Sequence, residues 1–161
     1  MRVQKIQRSV RRAASLVEFA VVAQIFFMLL FGIVEYSRFL FTIQMVNNAA
    51  REGARYAVVN TTEVTTAQIQ SYVDAYLMGQ GAAQFVSYSP SSNITVYMAD
   101  PVTGANLGGA WQDAGWGTGI GVQITGTYQP IVPDLISMSK YLSMSKYLTI
   151  RGTCVMTSEA N

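Results

Sequence analysis

The sequence predicts an α+β protein: a long N-terminal transmembrane helix continuing into a small domain with a second helix and a three- to four-stranded antiparallel sheet. Three observations predict it. An uninterrupted apolar run follows a basic N-terminus, a later segment carries a helix cap and helical periodicity, and the segments after that alternate apolar with polar residues.

Composition narrows the function before any motif is sought. Half of the 161 residues are hydrophobic and only 12% are charged, against roughly 25% charged in an ordinary soluble domain. Part of the chain is therefore expected to face something other than water. The charge is also divided. Arg2, Lys5, Arg8, Arg11 and Arg12 precede the first acid, Glu18, while the remaining 149 residues carry six Lys and Arg against nine Asp and Glu. An acidic body argues against nucleic acid as partner, which would need cations clustered on the folded part.

The chain has no histidine and one cysteine, Cys154. It lacks the commonest general base and metal ligand, and cannot close a disulfide on itself. Asp100, Asp113, Asp134 and Glu159 show no metal-ligand spacing, and neither a nucleophile elbow nor a phosphate loop is present. The expectation is a protein that is not an enzyme and takes no cofactor or metal; Cys154 reads as a small hydrophobe of the last strand.

Phe19 to Val34 is a 16-residue run without charge and with one amide, Gln24. At 1.5 Å per residue it covers ~24 Å, and extension to either side exceeds the ~30 Å of bilayer hydrocarbon. Glu35 and Arg38 are spaced to pair on one helix face near the far interface, where Tyr36 suits the headgroup layer. A cleaved signal would need a small-residue site after the run, but helical sequence continues instead. The cationic residues in front of the span place the N-terminus in the cytoplasm.

No proline interrupts the pattern before Pro90, so one helix is expected from about Ala13 to about Val58. Its outer half carries Ala49, Gly53 and Ala57 at every fourth position, with Ala50 and Ala54 beside them. Such a stripe admits a close backbone, either the protein's own sheet or a neighbouring helix. The expected organisation is a basic cytoplasmic leader over 1–13, a helix over 14–58 with its span at about 17–41, and an extracytoplasmic domain over 59–161.

Within that domain Thr65 and Gln68 form a capping box, Ile69, Tyr72, Val73, Tyr76 and Leu77 share one face, and Gly79 ends a helix over about Thr66 to Met78. Strands are expected around Ile94–Met98, Val122–Thr127 and Leu148–Cys154, with a weaker one at Phe85–Tyr88. The long segment from Ala99 to Gly119 holds six glycines with Trp111 and Trp116. These tryptophans either anchor a contact or pack over the sheet edge. Ser137 to Leu148 is one hexapeptide written twice, read as a loop expansion: a helical turn capped by Asp134, then the lead into the last strand.

Two blocks carry a family resemblance. Arg11-Arg12-Ala13-Ala14-Ser15-Leu16-Val17-Glu18-Phe19-Ala20-Val21-Val22-Ala23-Gln24, and then Asn48-Ala49-Ala50-Arg51-Glu52-Gly53-Ala54-Arg55-Tyr56-Ala57, resemble the TadE-like pseudopilins of tight-adherence (Flp, type IVc) pilus systems. From Ile94 to Glu159 the likeness is loose, limited to strands and Pro130-x-x-Pro133. The resemblance implies a pilin-like fold and a minor pilin or assembly component in the bacterial inner membrane. Its partners would be the lipid bilayer, other pilin-like subunits and the assembly machinery. It also implies a prepilin peptidase junction between Ala13 and Ala14, with Glu18 and Phe19 as the acid and aromatic of the mature end. Pilin leaders usually end in Gly where this chain has Ala13, and Gln24 stands near where a proline is common in the family.

Glu18 is singled out by its position alone, because a carboxylate near the membrane core costs ~2.5 kcal/mol or more unless partnered. In pilin-like proteins the partner would be the free amine of a neighbouring mature chain; the alternative is an interfacial carboxylate solvated or held by Arg11 and Arg12. Two functions follow: a pseudopilin guided by Glu18 and the small-residue stripe, or a tethered extracytoplasmic binding module using the Trp111/Trp116 loop.

Overall fold

The computed structural model describes residues 2–81, 85–86, 88–130 and 147–158, with side chains from Ser15 onward except that of Val86. Helix α1 spans Arg2–Val59 and α2 spans Thr66–Gly79. The strands are β1 (Phe85–Val86), β2 (Ile94–Ala99), β3 (Gly119–Tyr128) and β4 (Leu148–Thr157), with a single turn of helix, Pro90–Asn93, before β2. This is the α+β layout expected, a long apolar helix and a second helix with an antiparallel sheet.

The first helix starts at Arg2 and not near Ala13. The reason is local: neither Gly nor Pro occurs before Gly32, and Arg, Lys and Gln lose little freedom in a helix. It ends at Val59, where Asn60 turns back and its side-chain amide donates to Tyr56 O at 2.9 Å. The turn runs over 60–63, and after two more residues α2 begins at Thr66 with the capping box intact. Thr65 N donates to Gln68 Oε1 at 2.8 Å and Gln68 N to Thr65 Oγ1 at 3.4 Å.

β3 is the middle of the sheet. Along one edge it pairs with β4 over its whole length, from Gly119↔Thr157 to Tyr128↔Leu148. Along the other, β2 takes its first part (Ile94↔Ile124 to Ala99↔Gly119) and β1 its end (Phe85↔Tyr128), all antiparallel. Alternation puts Ile94, Ile120, Val122, Ile124, Tyr128 and Ile150 on one face, where they join Met45, Val46, Ala49, Ala50, Ala54 and Ala57 of α1 and Ile69, Val73 and Leu77 of α2 in one core. Thr95, Gln123, Thr153 and Thr157 belong to the other face. The first copy of the duplicated hexapeptide, the turn expected after Asp134, Pro133 and Glu159 lie outside the described residues.

Candidate functional site

Two stretches of α1 differ in what surrounds them. From Ser15 to Val34 the helix is uncovered by the rest of the fold: Leu16, Phe19, Val22, Phe26, Leu29 and Ile33 are 57–71% exposed. Glu18 lies in this stretch, also exposed, and is the one charged residue between Arg12 and Glu35. Phe19 beside it is 71% exposed. Ala13 and Ala14 lie within α1 one turn earlier, with their side chains, like those of Arg11 and Arg12, outside the described residues. This helix is long and apolar enough to cross a membrane, with no part of its most apolar window buried in the fold.

At Glu35 the surroundings change. Glu35 is 3% exposed, and its Oε2 lies 3.5 Å from Arg38 Nη1, the i,i+3 pair the spacing predicts. Its Oε1 accepts from the Tyr128 hydroxyl at 2.5 Å. The Tyr128 ring meets Phe39 edge to face, centroids 5.5 Å apart. Burial and, after it, the Glu35 carboxylate push the Tyr128 phenol up to about 12. Sequence reasoning found Glu35 and Arg38 and missed Tyr128, whose only signal was its place at the end of an alternating strand. Which residue a buried acid recruits from 93 positions away is a property of the tertiary fold.

The small-residue stripe lies beyond this junction. Ala49, Ala50, Gly53, Ala54 and Ala57 are all buried, against the protein's own sheet and α2. A Cβ on Gly53 would meet Val73 Cγ2 of α2 at 2.5 Å and Val122 Cγ1 of β3 at 3.3 Å. The sheet answers with a glycine of its own: a Cβ on Gly152 would meet Val46 Cγ1 at 2.6 Å and the Val46 carbonyl carbon at 3.1 Å. Helix α2 is held by a stack of Tyr56 on Tyr72, centroids 4.3 Å apart, and by the Tyr72 hydroxyl donating to Glu52 Oε1 at 3.0 Å.

The glycine-rich segment divides its tryptophans. Trp111 is 3% exposed, sits in the core, and its indole N–H donates to Thr66 Oγ1 at 2.9 Å, at the start of α2. Trp116 is 72% exposed, as are Val102 at 91% and Leu107 at 55%. At the start of this segment Asp100 closes a tight loop by accepting from the backbone N–H of Thr103 at 2.7 Å and of Val102 at 2.8 Å, which lowers its carboxyl below the usual range. Among the described residues no three of Asp, Glu and Cys converge as a metal-ligand set. Cys154 is a free thiol packed against the core.

No curated protein and no solved structure matches the chain. Residues 13–55, which hold Glu18, the Glu35 junction and the stripe around Gly53, match the model of the TadE-like protein family.

Proposed function

We propose that this chain is a pseudopilin-like structural component of a Tad-type (Flp) pilus assembly system, and that its role is assembly and not catalysis. A single span holds it in the bacterial inner membrane, with the basic end in the cytoplasm and the sheet domain on the far side. One observation carries the reading: the TadE-like match covers a helix whose stretch from Ser15 to Val34 is left bare by its own fold and bears a lone acid. The apolar surface around Glu18 suits lipid and neighbouring pilin-like helices. In that setting Glu18 is the residue with a reason to seek a partner charge. The stripe at Ala49–Ala57 is already occupied by the sheet and α2, so contact between subunits falls to the bare stretch.

Replacing Glu18 by Ala in the native chromosomal copy tests this. Membrane-fraction levels should stay normal while surface pili disappear, and Glu18→Asp should restore them in part. Full piliation with Glu18→Ala would overturn the assembly role. Separately, N-terminal sequencing of the membrane-extracted chain reads directly whether a prepilin peptidase cuts between Ala13 and Ala14.

A second reading, a tethered binding module, is favoured by Trp116, Val102 and Leu107, each exposed on the segment between β2 and β3 at the end of the sheet away from Glu35. Trp111 has no share in it, being part of the core. In that reading Trp116→Ala lowers surface attachment of cells that still assemble pili; unchanged attachment removes it.

A further inference from the structure

The junction at Glu35 also fixes how deep the domain sits. The charge-free run from Phe19 to Val34 covers ~24 Å of the ~30 Å bilayer hydrocarbon. Glu35, the first charge after that run and the first of the described residues to be buried, therefore falls at the hydrocarbon edge. The next six residues, Tyr36 to Phe41, occupy the following ~9 Å, which is the headgroup layer. In that stretch Tyr36 is 62%, Leu40 39% and Phe41 50% exposed, on a helix whose other side is packed on the domain.

The sheet reaches the same level. Tyr128 is hydrogen-bonded to Glu35 and pairs in register with Leu148, so the start of β4 lies beside the end of the span. Tyr147 and Leu148 there are 42% and 37% exposed. The opposite end of the same strand, Thr157, is nine residues from Leu148, ~30 Å at strand rise. Large apolar and aromatic side chains thus lie at one end of the domain, level with each other and continuous with the span.

We propose that this end of the domain is seated in the headgroup layer, with Tyr36, Leu40 and Phe41 of α1 and Tyr147 and Leu148 at the head of β4 in contact with lipid. Tyrosine suits this layer because its ring is apolar and its hydroxyl wet, and leucine and phenylalanine reach toward the acyl chains. The Glu35–Arg38–Tyr128 cluster sets the depth, since it ties strand to helix at the level where the hydrocarbon ends. The domain is then a second membrane contact and not a body held clear of the surface. This rests on the anchor reading of α1 and on nothing about pili.

The test uses the full chain in lipid nanodiscs holding one copy each, with Cys154→Ser and a single spin-labelled cysteine at Met28, Leu148 or Thr157. Oxygen against a water-soluble nickel relaxant gives the depth of each label. The expected order is Met28→Cys in the hydrocarbon, Leu148→Cys at interfacial depth and Thr157→Cys in water; Tyr147→Cys replaces Leu148→Cys if the latter misfolds. A label at 148 as nickel-accessible as that at 157, with 28 still in lipid, overturns the proposal and leaves the anchor standing. Shielding of 148 from both reagents only when two copies share a disc assigns the surface to a second copy and overturns it too. Water at 28 rejects the anchor and the proposal together.

Discussion

The Tyr128 hydroxyl donates to the Glu35 carboxylate at 2.5 Å, joining the last residue of the central strand to a helix residue 93 positions earlier. Glu35 is almost fully covered, and this donor and Arg38 both lie against its carboxylate. A hydrogen bond to a buried charge contributes about 2 kcal/mol, and removing one partner leaves the other poorly solvated. Tyr128→Phe keeps the ring contact with Phe39 and removes only the donor. It should destabilise the detergent-solubilised full chain by about 2 kcal/mol in urea unfolding followed by circular dichroism. A change within error would mean the bond contributes nothing.

The same pair predicts an alkaline limit. Tyr128 is neutral as a donor and its folded value is raised to about 12 from an ordinary 10.0. A raised folded value means the stabilisation is complete below pH 10 and is lost as pH climbs toward about 12, because the unfolded phenol ionises first. Tyr72 and Tyr88 are raised as well, Tyr72 mainly by Glu52 and Tyr88 mainly by burial, so wild type alone does not isolate the effect. The difference between wild type and Tyr128→Phe should be constant up to about pH 10 and shrink above it. A gap that stays flat through this window would refute the assignment.

What the sequence made legible follows from the range of each interaction. The capping box at Thr65 and Gln68, the period-two strands and the Glu35–Arg38 spacing are set within a few residues, and all appear in the structure. The helix began eleven residues before its expected start because its basic segment contains no breaker, although charge had marked it as separate. Trp111 and Trp116 looked alike in a loop without periodicity. Only the fold, by aiming one indole at Thr66 and leaving the other in solvent, tells them apart. Tyr128 was invisible as a partner of Glu35 for the same reason.

Close approach of α1 and the sheet rests on two glycines with different room to yield. Gly53→Ala gains up to ~1 kcal/mol of helix propensity but drives a methyl to 2.5 Å from Val73 Cγ2. That valine is fully buried in α2, where its rotamer is nearly fixed. Gly152→Ala gains no helix propensity and meets helix backbone at Val46 as well as a side chain. Overpacking costs ~1–3 kcal/mol, so Gly152→Ala should lie at the upper end and Gly53→Ala at the lower, both measured by urea unfolding. The reverse order would show that the sheet, and not α2, is the part that gives way.

The two tryptophans make the sharpest contrast in one loop. Trp111 fills the core and its N–H is bonded to Thr66 Oγ1, so Trp111→Ala removes a large buried ring and leaves a cavity, at ~3–5 kcal/mol. Trp111→Phe keeps most of the ring and strands only Thr66, for about 1–2 kcal/mol. Trp116 is mostly in solvent, so Trp116→Ala should stay within ~0.5 kcal/mol. Emission spectra check the placement independently: the Trp116→Ala chain should show a blue-shifted maximum from Trp111 alone, and the Trp111→Phe chain a red-shifted one. An acrylamide quencher should reach the second and spare the first; equal quenching of both would place Trp111 in solvent and remove the basis for its stability cost.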